Sequence, residues 1–189
     1  MQALKDTELP VAHPHCLCED DGVIGSMFYV MSFEDGHIFW DPALPEVDRD
    51  MRTAIHEEMI RVLATIHNAD VNAVGLGDYG KPGNCFERQF SRWTKQYRAA
   101  ETDMLEAMES LMSWLGACIP DDDGQVNLIH GDYRLDNVMF ANDEARALAV
   151  LDWELSTLGH PMADLAYLCM CMRLPRTGQV KGLAGLDLE

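Results

Sequence analysis

The chain has 189 residues, 48% of them hydrophobic and 24% charged, and carries a formal net charge of −18. That length holds one domain or two small lobes, and that composition buries a real core, which excludes a disordered chain. So acidic a surface repels phosphate backbones and anionic headgroups, so nucleic acid and membranes are not expected partners; a cationic substrate fits, or an anionic one escorted by a divalent metal.

No apolar run is long enough to span a bilayer, and the opening MQALKDTELP has no apolar signal core, so a cytoplasmic location is expected. Residues 22–34, GVIGSMFYVMSFE, read as a β-hairpin whose second arm, Met27 to Phe33, is rich in strand-forming side chains. A Pro-rich connection, DPALPEVD, follows. Met51, Ile55, Met59, Val62 and Ile66 then recur at steps of four and three, which predicts a helix over 50–68. Residues 72–84 are turn-like. The stretch from Cys85 to about Cys118 is helical, with a break near Glu101 to Asp103 and a new N-cap at Thr102 or Asp103. Val126 to Ile129 is a short strand. Val138 to Phe140 and Ala147 to Leu151 form a second hairpin. The loop STLGHP leads to a helix over Met162 to Met172, and residues 173–189 are poorly specified.

The chemistry concentrates in HGDYRLDN, residues 130–137, and in VLDWE, residues 150–154. A hairpin carries the chain out and back, so Asn137 before its first arm and Asp152 after its second finish side by side. An amide oxygen and a carboxylate suit magnesium, which prefers hard oxygen donors and uses few protein ligands when phosphates supply the rest. Asp132, five residues before Asn137, is near enough to act on a hydroxyl attacking a phosphate held there. The simpler reading is a loop with a turn aspartate, a capping asparagine and a core histidine. Any one residue alone favours it, but the full spacing in a strand–loop–hairpin setting favours phosphoryl transfer.

HGDYRLDN, VLDWE and GHPMADLAY, together with DYGKPGN and RQFSRWTKQYRAAET, resemble the aminoglycoside phosphotransferase-like family, a branch of the protein-kinase-like fold. The resemblance covers nearly the whole chain. It is nearest to the phosphotransferase domains fused to some acyl-CoA dehydrogenases and to their stand-alone bacterial relatives. It implies an α+β fold, mainly the helical C-terminal lobe over 35–189 with part of the N-terminal lobe over 1–34. It implies ATP as co-substrate and Mg2+ as cofactor. It implies Asp132 as the catalytic aspartate, Asn137 and Asp152 as magnesium ligands, and His130 and Asp164 as supports of the catalytic loop. Met31, Ser32 and Phe33 match the hinge that meets the adenine. Arg134 either touches phosphate or substrate, or pairs with Asp136 or Glu154.

The implied activity is a kinase acting on a small-molecule hydroxyl, such as a hydroxyacyl-CoA-type acceptor, with an aminoglycoside or other cationic drug as the alternative. Longer forms are expected to be fused to, or associated with, an acyl-CoA dehydrogenase. The family's phosphate-covering loop and lysine strand are missing from this sequence; Lys5 and Lys81 stand in the wrong context. The chain is therefore expected to be truncated at both ends, with weak or absent catalysis, and a non-catalytic binding remnant is the competing reading.

Other signals have simpler explanations. His13, His15, Cys16 and Cys18 are spaced too closely for an ordinary zinc site and read as a loop leading into a strand. The six cysteines are expected to be reduced and mostly buried. The twelve methionines are expected to pack in the core, and Glu57-Glu58 to be solvated. His56 and His67 have no evident partner in the sequence.

Overall fold

The computed structural model describes residues 1–81, 83–178 and 180–187; Pro82 of the DYGKPGN motif, and Gln179, Leu188 and Glu189 of the C-terminal stretch, lie outside the described residues. The elements run β1 (Pro14–Cys18), β2 (Phe28–Met31), β3 (His37–Ile38), α1 (Arg49–His67), α2 (Cys85–Ala100), α3 (Glu106–Ala117), β4 (Asn127–Ile129), β5 (Val138–Phe140), β6 (Ala147–Val150), β7 (Thr157–Gly159) and α4 (Met162–Met170). The strands form three antiparallel groups, ordered β1-β2, β3-β5-β6 and β4-β7. No helix among the described residues is long and apolar enough to cross a membrane.

Helix α1 organises the core. Asp48 caps it by accepting the Met51 N–H at 2.9 Å, satisfying one of the donors a helix start leaves open. Its apolar stripe, Ile55, Met59, Val62, Leu63 and Ile66, is buried. That stripe belongs to one cluster with Val138, Phe140 and Val150 of the β5–β6 hairpin. Each fully buried apolar side chain of this kind contributes about 1.5–3 kcal/mol. Leu4 and Leu9, ahead of β1, join the same cluster, and Val150 N–H donates to Pro10 O at 2.7 Å. The N-terminal segment is thus tied to the hairpin that carries the candidate chemistry.

Several sequence expectations need correction. The first hairpin is built from 14–18 and 28–31, so HCLC is a strand and residues 20–26 are its turn. Asp20 accepts the Gly22 N–H at 2.9 Å, and Gly25 adopts φ +91°, so this segment folds the chain back and cannot extend as an arm. Residues 157–159, expected in a loop, form β7 because Leu158 pairs with Leu128 across the ladder and both are buried. Helix α3 starts after Leu105, with no side-chain cap, instead of at Thr102 or Asp103. Only Cys85 of the six free cysteines is buried, and among the methionines Met59 alone belongs to the buried core. Glu58 is not solvated: it accepts the Ala147 N–H at 2.9 Å and pairs with Arg61 at 2.6 Å, pinning the start of β6 to α1.

Candidate active site

Strand β4 delivers His130 into the core, and the chain then turns sharply at Gly131. The turn needs glycine: φ is +86°, and a Cβ there would stand 2.5 Å from Leu155 O. A single buried carboxylate fixes this turn. Asp164, in the first turn of α4 and 1% exposed, accepts the His130 N–H at 2.7 Å and the Gly131 N–H at 2.8 Å. His67, in the last turn of α1, brings Nε2 to 3.1 Å from the same carboxylate. Two buried backbone donors are thereby satisfied by one side chain, a pairing worth roughly 1–3 kcal/mol per group if broken.

The His130 ring is buried and reads as one neutral tautomer. Its Nδ1 accepts the Asp132 N–H at 3.3 Å, and its Nε2 donates to Leu151 O at 2.8 Å. Burial holds its pKa below the usual histidine value. The imidazole therefore bridges the loop bearing Asp132 to the strand end bearing Asp152. Trp153 lies against it, ring centroids 4.8 Å apart, and donates its indole N–H to Val150 O at 2.9 Å. Tyr133 anchors the next position, donating from a fully buried hydroxyl to Met59 O at 2.8 Å.

Asn137 closes a short 3-10 turn, Leu135–Asn137, and its amide Nδ2 donates to Asp132 O at 2.8 Å and to Asp132 Oδ2 at 3.1 Å. The amide oxygen takes no part in those bonds and has no hydrogen-bond partner among the described residues. In the hairpin, Val138 pairs with Val150 and Leu151 N–H donates to Asn137 O at 2.8 Å. Asn137 and Asp152 therefore flank the same end of the ladder. Asp152 is exposed, adopts a left-handed backbone conformation (φ 61°, ψ 56°), and its carboxylate is unpartnered among the described residues. One amide oxygen and one carboxylate, both uncommitted, fit the donor set of a magnesium ion that takes its remaining ligands from water and phosphate.

Arg134 pairs with Asp136 at 2.5 Å and lies 3.7 Å from Asp132 Oδ1; Glu154 is not its partner. Met31 ends β2, and Ser32 is tied across to His13 by Ser32 N–H to His13 O (2.8 Å) and His13 N–H to Ser32 Oγ (2.8 Å). Phe33, 90% exposed, follows, and the chain then enters β3 beside β5. The segment Met31–Phe33 thus joins the outer hairpin to the sheet that holds the loop.

Two contributors went unassigned in the sequence. Tyr167 lies against Asp132, and burial followed by that carboxylate raises its phenol pKa. It sits three residues after Asp164, on the same helix face, so i,i+3 spacing within GHPMADLAY could have found it. His67 reaches its partner across 97 residues of sequence, and no local pattern announces that contact.

The sequence profile described as "phosphotransferase enzyme family" matches residues 1–186. Acyl-CoA dehydrogenase family member 10 of Mus musculus is 47% identical over 175 residues, covering 93% of this chain and 16% of the relative. Family member 11 of Homo sapiens is 44% identical over 176 residues, covering 93% and 23%. The chain thus spans about a fifth of the length of such relatives. A crystal structure from Ralstonia eutropha, described as a candidate aminoglycoside phosphotransferase, superposes with a TM-score of 0.90 at 55% identity, covering 98% of this chain and 56% of that one. Aminoglycoside phosphotransferase APH(4)-Ia, solved with ADP and hygromycin B, gives 0.64 at 18% identity over 91% and 59% of the two chains, a likeness of fold alone. The α+β architecture is the protein-kinase-like one of these phosphotransferases.

Proposed function

This chain belongs to the phosphotransferase enzyme family, and from that premise we propose that its site is built for Mg·ATP-dependent phosphorylation of a small-molecule hydroxyl. The observation that carries the reading is the ladder contact between Leu151 and Asn137, which sets Asn137 and Asp152 at one hairpin end while the Asn137 amide orients Asp132.

In this reading Asp132 receives the acceptor's hydroxyl and takes its proton as the oxygen attacks the terminal phosphoryl group of ATP, whose bond to the β-phosphate oxygen breaks to release ADP. Its orientation is set by Asn137 and Tyr167, and its loop by His130 and Asp164. Asn137 Oδ1 and the Asp152 carboxylate would hold Mg2+, which supplies charge neutralisation of the phosphates when bound. His130 takes no proton, because both ring nitrogens are already committed. The backbone of Met31, Ser32 and Phe33 would meet the adenine.

For the acceptor we favour a hydroxylated acyl group, free or as its CoA thioester. This rests on relatives named as acyl-CoA dehydrogenase family members, and it includes work alongside such a dehydrogenase unit in longer forms. An aminoglycoside is the second reading, favoured by the descriptions of the solved neighbours and by the acidic surface. Calorimetric titration of Mg·ATP into the chain and into Asp152→Asn tests the nucleotide site, and transfer of labelled phosphate to hydroxyacyl compounds or to hygromycin B tests the acceptor. Binding by the parent chain and not by the variant is expected. Equal binding by both would remove Asp152 from the metal site.

A further inference from the structure

A cavity of about 1020 Å3 opens between α1, the 134–136 segment, α4 and the segments 172–174 and 180–183. Ligand pockets usually measure roughly 300–1,000 Å3, so it is large enough for an extended small molecule. Its position is informative: Arg134 and Tyr167 line it, and both adjoin Asp132. The cavity therefore begins where the proposed base is.

Its lining is of two kinds. Met59 and Ile60 of α1 and Leu168, Met170 and Met172 are apolar. The charged side chains are mainly cationic. Arg52, Arg134 and Lys181 line the cavity, against the acids Glu57 and Asp136, in a chain whose net charge is −18. Asp136 is already engaged by Arg134 and Lys181 leans on Asp41 at 3.4 Å, so Arg52 is the cation without a carboxylate partner among the described residues. Its one side-chain hydrogen bond among the described residues is a long one, 3.4 Å to Val47 O. The Arg52 Nε is buried and has no hydrogen-bond partner among the described residues, whereas the Arg134 Nε, also without a hydrogen bond, faces Asp132 Oδ1 at 3.7 Å. Buried guanidinium donors left open cost free energy that an incoming oxyanion would offset.

We propose that this cavity is the acceptor site and that it takes an acyl chain carrying an anionic group, with Arg52 reading the anion and the Met59–Leu168 side holding the apolar chain. The proposal rests on the phosphotransfer reading for its word "acceptor", but not for binding itself. The anion is either the free carboxylate of a hydroxy acid or a phosphate of its CoA carrier. A polycationic sugar would meet Arg52 and Lys181 as like charges, so this cavity does not suit an aminoglycoside.

The test is calorimetric, without nucleotide. Hydroxy fatty acids of short, medium and long chain, their methyl esters and their CoA thioesters are titrated into the chain, into Arg52→Gln, Arg52→Lys and Ile60→Glu. Circular dichroism checks that each variant is folded. The expected result is affinity that rises with chain length, falls roughly ten- to hundredfold in Arg52→Gln, is partly restored in Arg52→Lys, and is weakened by Ile60→Glu. Tight free acids with weak methyl esters identify the carboxylate as the anion; tight thioesters alone identify the carrier phosphate. Equal affinity of acid, ester and thioester, or an Arg52→Gln variant indistinguishable from the parent, would overturn the proposal. A separate Mg·ATP titration keeps the two ideas apart. If nucleotide fails to bind while acyl compounds bind through Arg52, the phosphotransfer reading fails and the acyl site stands.

Discussion

The hairpins β1–β2 and β5–β6 are both short, antiparallel and irregular at one position of their ladders, yet one is almost wholly exposed and the other almost wholly buried. Leu17 and Tyr29 are 65% and 53% exposed, whereas Val138, Phe140 and Val150 are fully buried beneath α1. Strand propensity is similar in the two; the difference lies in what covers them. A hairpin alone is marginal in water, and burial against a helix makes it a fixed support. The candidate chemistry sits at the end of the buried hairpin, where a misplacement of an ångström is costly.

The largest effect that would sharpen this contrast is chemical. Asp132→Asn keeps the size of the side chain and removes the proton acceptor, so phosphate transfer is expected to fall by about 10²–10⁴-fold, while the urea midpoint moves little. A transfer assay beside an unfolding curve reads both, and unchanged transfer would take Asp132 out of the proposed base role. Next comes the packing of the same hairpin. Phe140→Ala empties a fully buried site and is expected to cost about 3–5 kcal/mol in urea unfolding; a loss under about 1 kcal/mol would erase the distinction between the hairpins.

A smaller effect is expected from pH. Burial holds His130 and His56 below the usual histidine value, with Arg52 adding to the shift of His56. The unfolded chain then binds protons near pH 6.5 that the folded chain refuses until lower pH. Stability is therefore full above that value and declines as pH falls through it. Unfolding curves from pH 8 down to about 5 should show the decline, and its reduction in His56→Gln would assign part of it. The smallest effect belongs to the exposed hairpin: Tyr29→Ser is expected to stay within about 0.5 kcal/mol of the parent.

Sequence periodicity revealed α1 because its stripe faces one continuous core, and it revealed β5 and β6 because turn residues Asn142 to Glu144 separate two apolar runs. It missed β7, whose partner lies thirty residues upstream, and it misplaced β1, whose ring-bearing and thiol side chains do not alternate in polarity. In the candidate site, the spacing of His130, Asp132 and Asn137 was readable because one loop carries all three. Asp164 emerged only through resemblance, and the reason for it, two backbone donors on a distant loop, is visible only in three dimensions. Tyr167, His67 and the Arg52 cavity depend on helices meeting from far apart in the chain.

Asp152 has a cost as well as a place. It is one of three non-glycine residues with positive φ among those described, and that left-handed conformation costs an ordinary side chain about 1–2 kcal/mol. Glycine would adopt it without strain. Asp152→Gly should therefore raise the melting temperature while abolishing Mg2+ binding, and a lowered melting temperature would show that the aspartate is at ease there. At this one position durability and reactivity pull in opposite directions, so screening variants for heat resistance alone would tend to select against the proposed metal ligand.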